Sequence, residues 1–146
     1  MPPELVFDQG FGDLFVIRVA GNVVASDVVG SIQYAVAHLH TPLMLVLGHE
    51  GCGAVTAAVD SLAGRGTERR FIRALIERIE PGLAGLPASL QGADRVHAAV
   101  EANVRWTMRQ LAALPEGKEA LRRKVITLVG AVYELDTGKV RFLAKP

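Results

Sequence analysis

The sequence predicts an α/β fold: a mostly parallel sheet flanked by helices and finished by a C-terminal β-hairpin. Three observations carry that prediction. Short apolar runs rich in branched residues alternate with longer segments of helical periodicity. "DLFVIRVA" (13–20) and "LMLVLG" (43–48) are apolar on both faces, as strands buried inside a sheet are. "KVITLVGAVYELDTGKVRFL" places two strand patterns around an Asp136-Thr137-Gly138 turn. Alternating strands and helices imply parallel pairing through crossover helices, with the hairpin at one edge.

Taken in order, the run 13–20 reads as a first buried strand, followed by a "GNVVAS" turn in which Ser26 is placed to cap a helix. Val28, Val29, Ile32, Ala35, Val36 and Leu39 recur at helical spacing over 27–40. Thr41-Pro42 stops that helix, because proline disfavours helical geometry in the residue before it. After the strand 43–48, Ala54, Val55, Ala58, Val59 and Leu62 give 53–64 one apolar face. A helix over 67–80 carries Phe71, Ile72, Leu75, Ile76 and Ile79 inward and ends at Pro81. "PGLAGLPASLQG" is a loop with room for a brief helical turn. A long helix then covers 94–114, with Val96, Val100, Val104, Leu111 and Leu114 on one stripe.

The 146 residues suffice for a single domain, 1–146, burying about 68–70% of its unfolded surface. Half are hydrophobic and 21% are charged, with a net charge of +1 and both signs interspersed. That balance argues against a nucleic-acid or anionic-membrane partner. No apolar run approaches the roughly 18 residues of a membrane span. No secretory pattern opens the chain, so the expected compartment is cytoplasmic. One cysteine, Cys52, rules out an internal disulfide. It is a buried small hydrophobe, a reactive thiol or a metal ligand.

Chemistry concentrates in "LVLGHEGCGAV" (45–55), where a strand turns into a helix. Ligands in open α/β sheets bind at the carboxyl ends of strands. His49 leaves the strand end, and Gly51 and Gly53 free the backbone for a sharp turn. Cys52 falls near a helix N-terminus, where unpaired amides and the helix dipole favour negative charge. A thiolate and an imidazole so spaced can reach one Zn²⁺. The spacing alone also suits a buried cysteine beside a hydrogen-bonded histidine, or a redox or nucleophilic Cys–His pair lacking a third orienting group. His38 and His40 are two apart on a helix and point to different faces. His97 reads as a surface or half-buried residue of the long helix, Trp106 as a packing residue, "RGTERRFIR" (65–73) as a solvated face, and Asp8 and Asp13 as turn residues.

Taken together, the segments "PPELVFDQGFGDLFVIRVAGNVV", "GSIQYAVAHLHTPLMLVLGHEGCGAV", "ANVRW" and "VGAVYELDTGKVRF" resemble the β-class carbonic anhydrases across essentially the whole chain. The resemblance implies that His49 and Cys52 are two zinc ligands and that the Gly53 backbone N–H helps to place substrate. It implies reversible hydration of CO₂ to bicarbonate by a zinc-bound hydroxide. It further implies a homodimer or higher oligomer.

One departure bears on all of this. The family precedes "VPPELVF" with a Cys-x-Asp-x-Arg motif at the end of the sheet's first, central strand. That motif supplies a third zinc ligand and an Asp–Arg pair, and none of its three positions occurs in this sequence. The expectation is therefore an N-terminally truncated member, with the first central strand missing and no catalytic residue identifiable. Met1 aligns with the family's valine. A GTG valine codon read as a start would explain this, and the codons upstream would decide it. The 146-residue chain is expected to be weak or inactive. The alternatives are a non-catalytic paralogue acting as a binding or oligomerisation subunit, and a Cys–His redox or hydrolytic protein of unrelated chemistry.

Overall fold

Three strands form the sheet in the order β1–β2–β3, in a computed structural model that describes residues 2–144. Met1, the position read above as an internal valine, lies outside the described residues. β1 (Leu43–His49) and β2 (Thr127–Tyr133) pair in parallel from Leu43↔Thr127 to His49↔Tyr133. β3 (Val140–Phe142) returns antiparallel on β2, pairing Ala131 with Phe142 and Tyr133 with Val140. The hairpin turn is closed by Glu134 N–H to the Lys139 carbonyl at 2.8 Å and Gly138 N–H to the Glu134 carbonyl at 2.9 Å. The α/β class and the edge hairpin are as expected, though only one of the two ladders is parallel.

Six helices accompany the sheet among the described residues: α1 (Pro3–Val6), α2 (Ser26–His38), α3 (Gly53–Leu62), α4 (Arg70–Leu83), α5 (Gly92–Ala113) and α6 (Pro115–Arg122). None is long and apolar enough to cross a membrane. α5 lies across β1 and β2, while α3 and α4 pack on each other and on α5. Val46 and Val132 of the strands meet Val55 and Val59 of α3, Ile76 and Ile79 of α4, and Val100, Val104 and Met108 of α5 in one buried cluster. Each such side chain contributes about 1.5–3 kcal/mol on burial. The close approach of α5 depends on two glycines. A Cβ on Gly48 of β1 would lie 2.7 Å from Val104 Cγ2, and one on Gly130 of β2 would lie 2.9 Å from Val104 Cγ1.

Several sequence expectations need correction. Residues 13–20 form no strand. A strand needs a neighbour to take its backbone N–H and C=O groups, and the described sheet pairs β1 on its β2 side alone. Phe15, Val16 and Val19 stand exposed accordingly. Ser26 is the first residue of α2 rather than its cap; its hydroxyl bonds to Asp27 instead of a backbone amide. Pro81 does not end α4, which continues to Leu83. In the last turn the missing N–H forfeits one bond, and the burial of Leu83 outweighs it. Leu39, Leu62, Phe71 and Ile72, expected inward, are exposed at the ends of their helices, beyond the reach of the core. α6 was not anticipated. Pro115 opens it at a position where a missing N–H costs nothing, with Glu116 in the first turn and Arg122 in the last.

Candidate metal centre

The last residue of β1 is His49, and α3 begins four residues later at Gly53. The reversal between them is made by Gly51, whose φ of +61° a residue with a side chain rarely adopts. Cys52 sits at the N-cap of α3 in extended geometry, φ −60° and ψ 113°. Its carbonyl accepts Thr56 N–H at 2.9 Å and Thr56 Oγ1–H at 3.0 Å, so the backbone under the thiol is held twice. Cys52 is buried, and His49 is half-buried. His49 Nδ1 lies 2.8 Å from the Glu50 carbonyl oxygen. A carbonyl can only accept, so the proton of this bond is on Nδ1, and in the neutral ring the lone pair falls on Nε2.

In kind, these donors suit zinc: a thiol at a helix N-terminus and an imidazole whose second nitrogen is tied to a carbonyl, as metal-binding histidines usually are. In number they do not. Among the described residues no group of three or more His, Cys, Asp or Glu is placed to hold a metal. Catalytic zinc takes three protein donors. His49 and Cys52 alone fall short of that number among the described residues. Gly53 is exposed, with nothing within 4 Å of where a Cβ would stand. It lines a cavity of about 410 Å³ that runs from Gly51 along α3 to Asp60, Arg65 and Arg73. Neither His49 nor Cys52 lines that space. Its arginines are engaged, Arg65 with Asp60 at 2.8 Å and Arg73 with Glu77 at 3.1 Å.

The remaining candidates stay apart in space, although His40, read as helical, lies beyond the end of α2 at His38. Tyr34 packs against His38, with ring centroids 4.8 Å apart, while His40 follows the helix at φ +53°. Asp13 accepts Gly10 N–H at 2.8 Å within its turn. Trp106 packs between α5 and α4, donating Nε1–H to the Arg78 carbonyl at 3.0 Å. Sequence reasoning missed Asn103 and Thr107. Both are buried on α5 and hold the turn Ala20–Asn22: Asn103 Nδ2 donates to the Gly21 carbonyl at 2.7 Å and Thr107 Oγ1 to the Asn22 carbonyl at 2.9 Å. Asn22 Nδ2 in turn donates to the Leu47 carbonyl of β1 at 2.6 Å. The signal was available: a polar residue recurring four apart on an otherwise apolar stripe must find a partner. Glu50, which nothing in its local sequence marks, accepts Leu135 N–H on its carboxylate at 2.9 Å.

Comparison with known proteins bears on these residues. The family model described as carbonic anhydrase matches residues 1–140. Carbonic anhydrase 2 of Mycobacterium tuberculosis is 39% identical over 137 residues, covering 93% of this chain and 65% of that protein. The carbonic anhydrase of Mycolicibacterium smegmatis is 40% identical over 139 residues, covering 94% of this chain and 66% of its own length. The chain thus spans just under two thirds of these curated relatives. Among solved structures, the Coccomyxa β-carbonic anhydrase in complex with acetazolamide superposes with a TM-score of 0.87 at 28% identity, covering 100% of this chain and 68% of that one. A tetrameric β-carbonic anhydrase of Sordaria macrospora reaches 0.88 at 23% identity, covering 98% and 74%, a likeness of fold alone.

Proposed function

The chain belongs to the β-carbonic anhydrase family, and from that premise we propose that it carries two of the three protein donors of a zinc site for reversible hydration of CO₂ to bicarbonate. The donors are His49 and Cys52. The observation that carries this reading is the turn itself, which ties Nδ1 of His49 to a carbonyl, leaves Nε2 free, and holds Cys52 at the N-cap of α3. Zinc, when bound, supplies a Lewis acid that lowers the pKa of a water. The chain's own residues fix the imidazole, present the thiol, and offer the Gly53 N–H to a substrate oxygen from the open first turn of α3. No residue here takes the part of the family's Asp–Arg pair, and a third protein donor is needed before the site can turn over. The 146-residue chain is accordingly weak or inactive as a catalyst, acting as one domain.

Cobalt substitution tests the ligand assignment. Co²⁺ added to the chain should give a near-ultraviolet thiolate charge-transfer band that Cys52→Ser abolishes and His49→Ala weakens. A band that survives Cys52→Ser, or none in the wild-type chain, contradicts it.

A second reading, a subunit that associates rather than catalyses, is favoured by the exposed apolar side chains Phe15, Val16, Val19, Tyr34 and Leu43. Apolar surface of this kind marks interaction sites, and a homo-oligomer is the proposed occupant. Sedimentation separates the two, since a monomer across the micromolar range would remove the second.

A further inference from the structure

We infer that Glu50 is a positioning residue, pinning the turn so that His49 keeps its proton on Nδ1 and presents Nε2. Three bonds converge on it. Glu50 N–H donates to the Tyr133 carbonyl at 3.0 Å, which extends the β1–β2 ladder one step beyond His49↔Tyr133. Its carboxylate Oε2 accepts Leu135 N–H at 2.9 Å, two residues further along the same strand end. Its carbonyl oxygen receives Nδ1–H of His49 at 2.8 Å.

The first two bonds fix the third. Gly51 follows directly, and a glycine places little restriction on the peptide plane before it. Without a second anchor, the Glu50 carbonyl could swing about the single ladder bond and release the imidazole. The carboxylate on Leu135 N–H is that second anchor. Leu135 is exposed, so its amide could have been satisfied by water. The pairing therefore does not serve to satisfy a buried donor; it holds the turn. On its other side the carboxylate faces the ring of His97, beyond hydrogen-bond distance. His97 Nδ1 of α5 lies 3.8 Å from Glu50 Oε1, and Arg141 Nη2 of β3 reaches His97 Nε2 at 3.1 Å and Glu101 at 2.7 Å.

The benefit to a metal rests on the zinc reading above, whereas the tautomer does not. It is read on the metal-free chain, so the two ideas fail separately. Long-range ¹H–¹⁵N correlation, at a pH where the imidazole is neutral, should show His49 protonated on Nδ1, the opposite of the preference of a free histidine side chain. Glu50→Ala should lose that preference and speed amide exchange at Leu135 about tenfold, as expected for one lost hydrogen bond. Glu50→Gln retains an acceptor oxygen and should restore both. A wild-type chain protonated on Nε2 overturns the inference. So does a folded Glu50→Ala that keeps the wild-type tautomer, or a Glu50→Gln that fails to rescue. Should Glu50→Ala not fold, the wild-type and Glu50→Gln spectra decide alone.

Discussion

The two long sides of β1 are built differently. Towards β2 every residue of the strand has a parallel partner, from Leu43↔Thr127 to His49↔Tyr133, with α5 lying over both strands. Towards residues 13–25 the described attachment to the strand's backbone is one side-chain bond, Asn22 Nδ2 to the Leu47 carbonyl. Phe15, Val16 and Val19 there face outward, and the segment reaches the core only at Val23, with Val24 packed against it. The site turn hangs from the strand's end and so inherits both conditions. Its β2 side is tied down by the ladder; on its other side no further His, Cys, Asp or Glu among the described residues is grouped to hold a metal. The proposed two-donor site takes both its anchorage and its open side from the same strand.

Substitutions should feel this contrast in a definite order. Gly130→Val, or Gly48→Val, forces a side chain into the α5–sheet contact at under 3 Å. The expected cost is about 1–3 kcal/mol, roughly 4–10 °C in melting temperature for a chain of this size. A melt within 1 °C of wild type, used here as a rough threshold, would mean that α5 is not packed so closely. Asn103→Leu removes the donor that satisfies the Gly21 carbonyl and should cost about 1–3 kcal/mol in denaturant unfolding. No change in the midpoint would detach the Ala20–Asn22 turn from α5. On the open side, Phe15→Ser should alter stability by no more than about 0.5 kcal/mol while weakening concentration-dependent self-association in sedimentation. A loss of several degrees would show that the segment belongs to the core after all.

The smallest effect lies on α6, remote from both sides. Arg122 hydrogen-bonds Glu119 and holds its carboxyl below the usual 4.5. Because the folded-state pKa is lowered, the pair's contribution is present above the unfolded pKa and fades as pH falls through the folded one. Arg122→Ala should return the Glu119 titration upward, as read by NMR.

How much of this was legible in sequence depends on where each element's information resides. β1, α3, α5 and the hairpin carry their evidence locally, in apolar period and turn residues, and the structure has them within a few residues of their predicted limits. Residues 13–20 have an equally strong strand pattern, but a strand is a relation between two segments, and no neighbour pairs with this one. Phe71 and Ile72 show the same limit in a helix: the period gives a face, not how far the core extends along it. His49, Cys52 and Gly53 could be singled out in sequence because the turn is written in five adjacent residues, 49–53. Glu50 was not, since its partners, Tyr133 and Leu135, lie more than eighty residues away and become visible only when β2 is paired with β1.

Zinc content and CO₂ hydration, measured together on the 146-residue chain, test the central claim most directly. A site with two of its three protein donors predicts weakly held metal, lost on Cys52→Ser, and stopped-flow hydration at the uncatalysed rate. About one tightly bound zinc per chain, with a robust zinc-dependent rate, would contradict it.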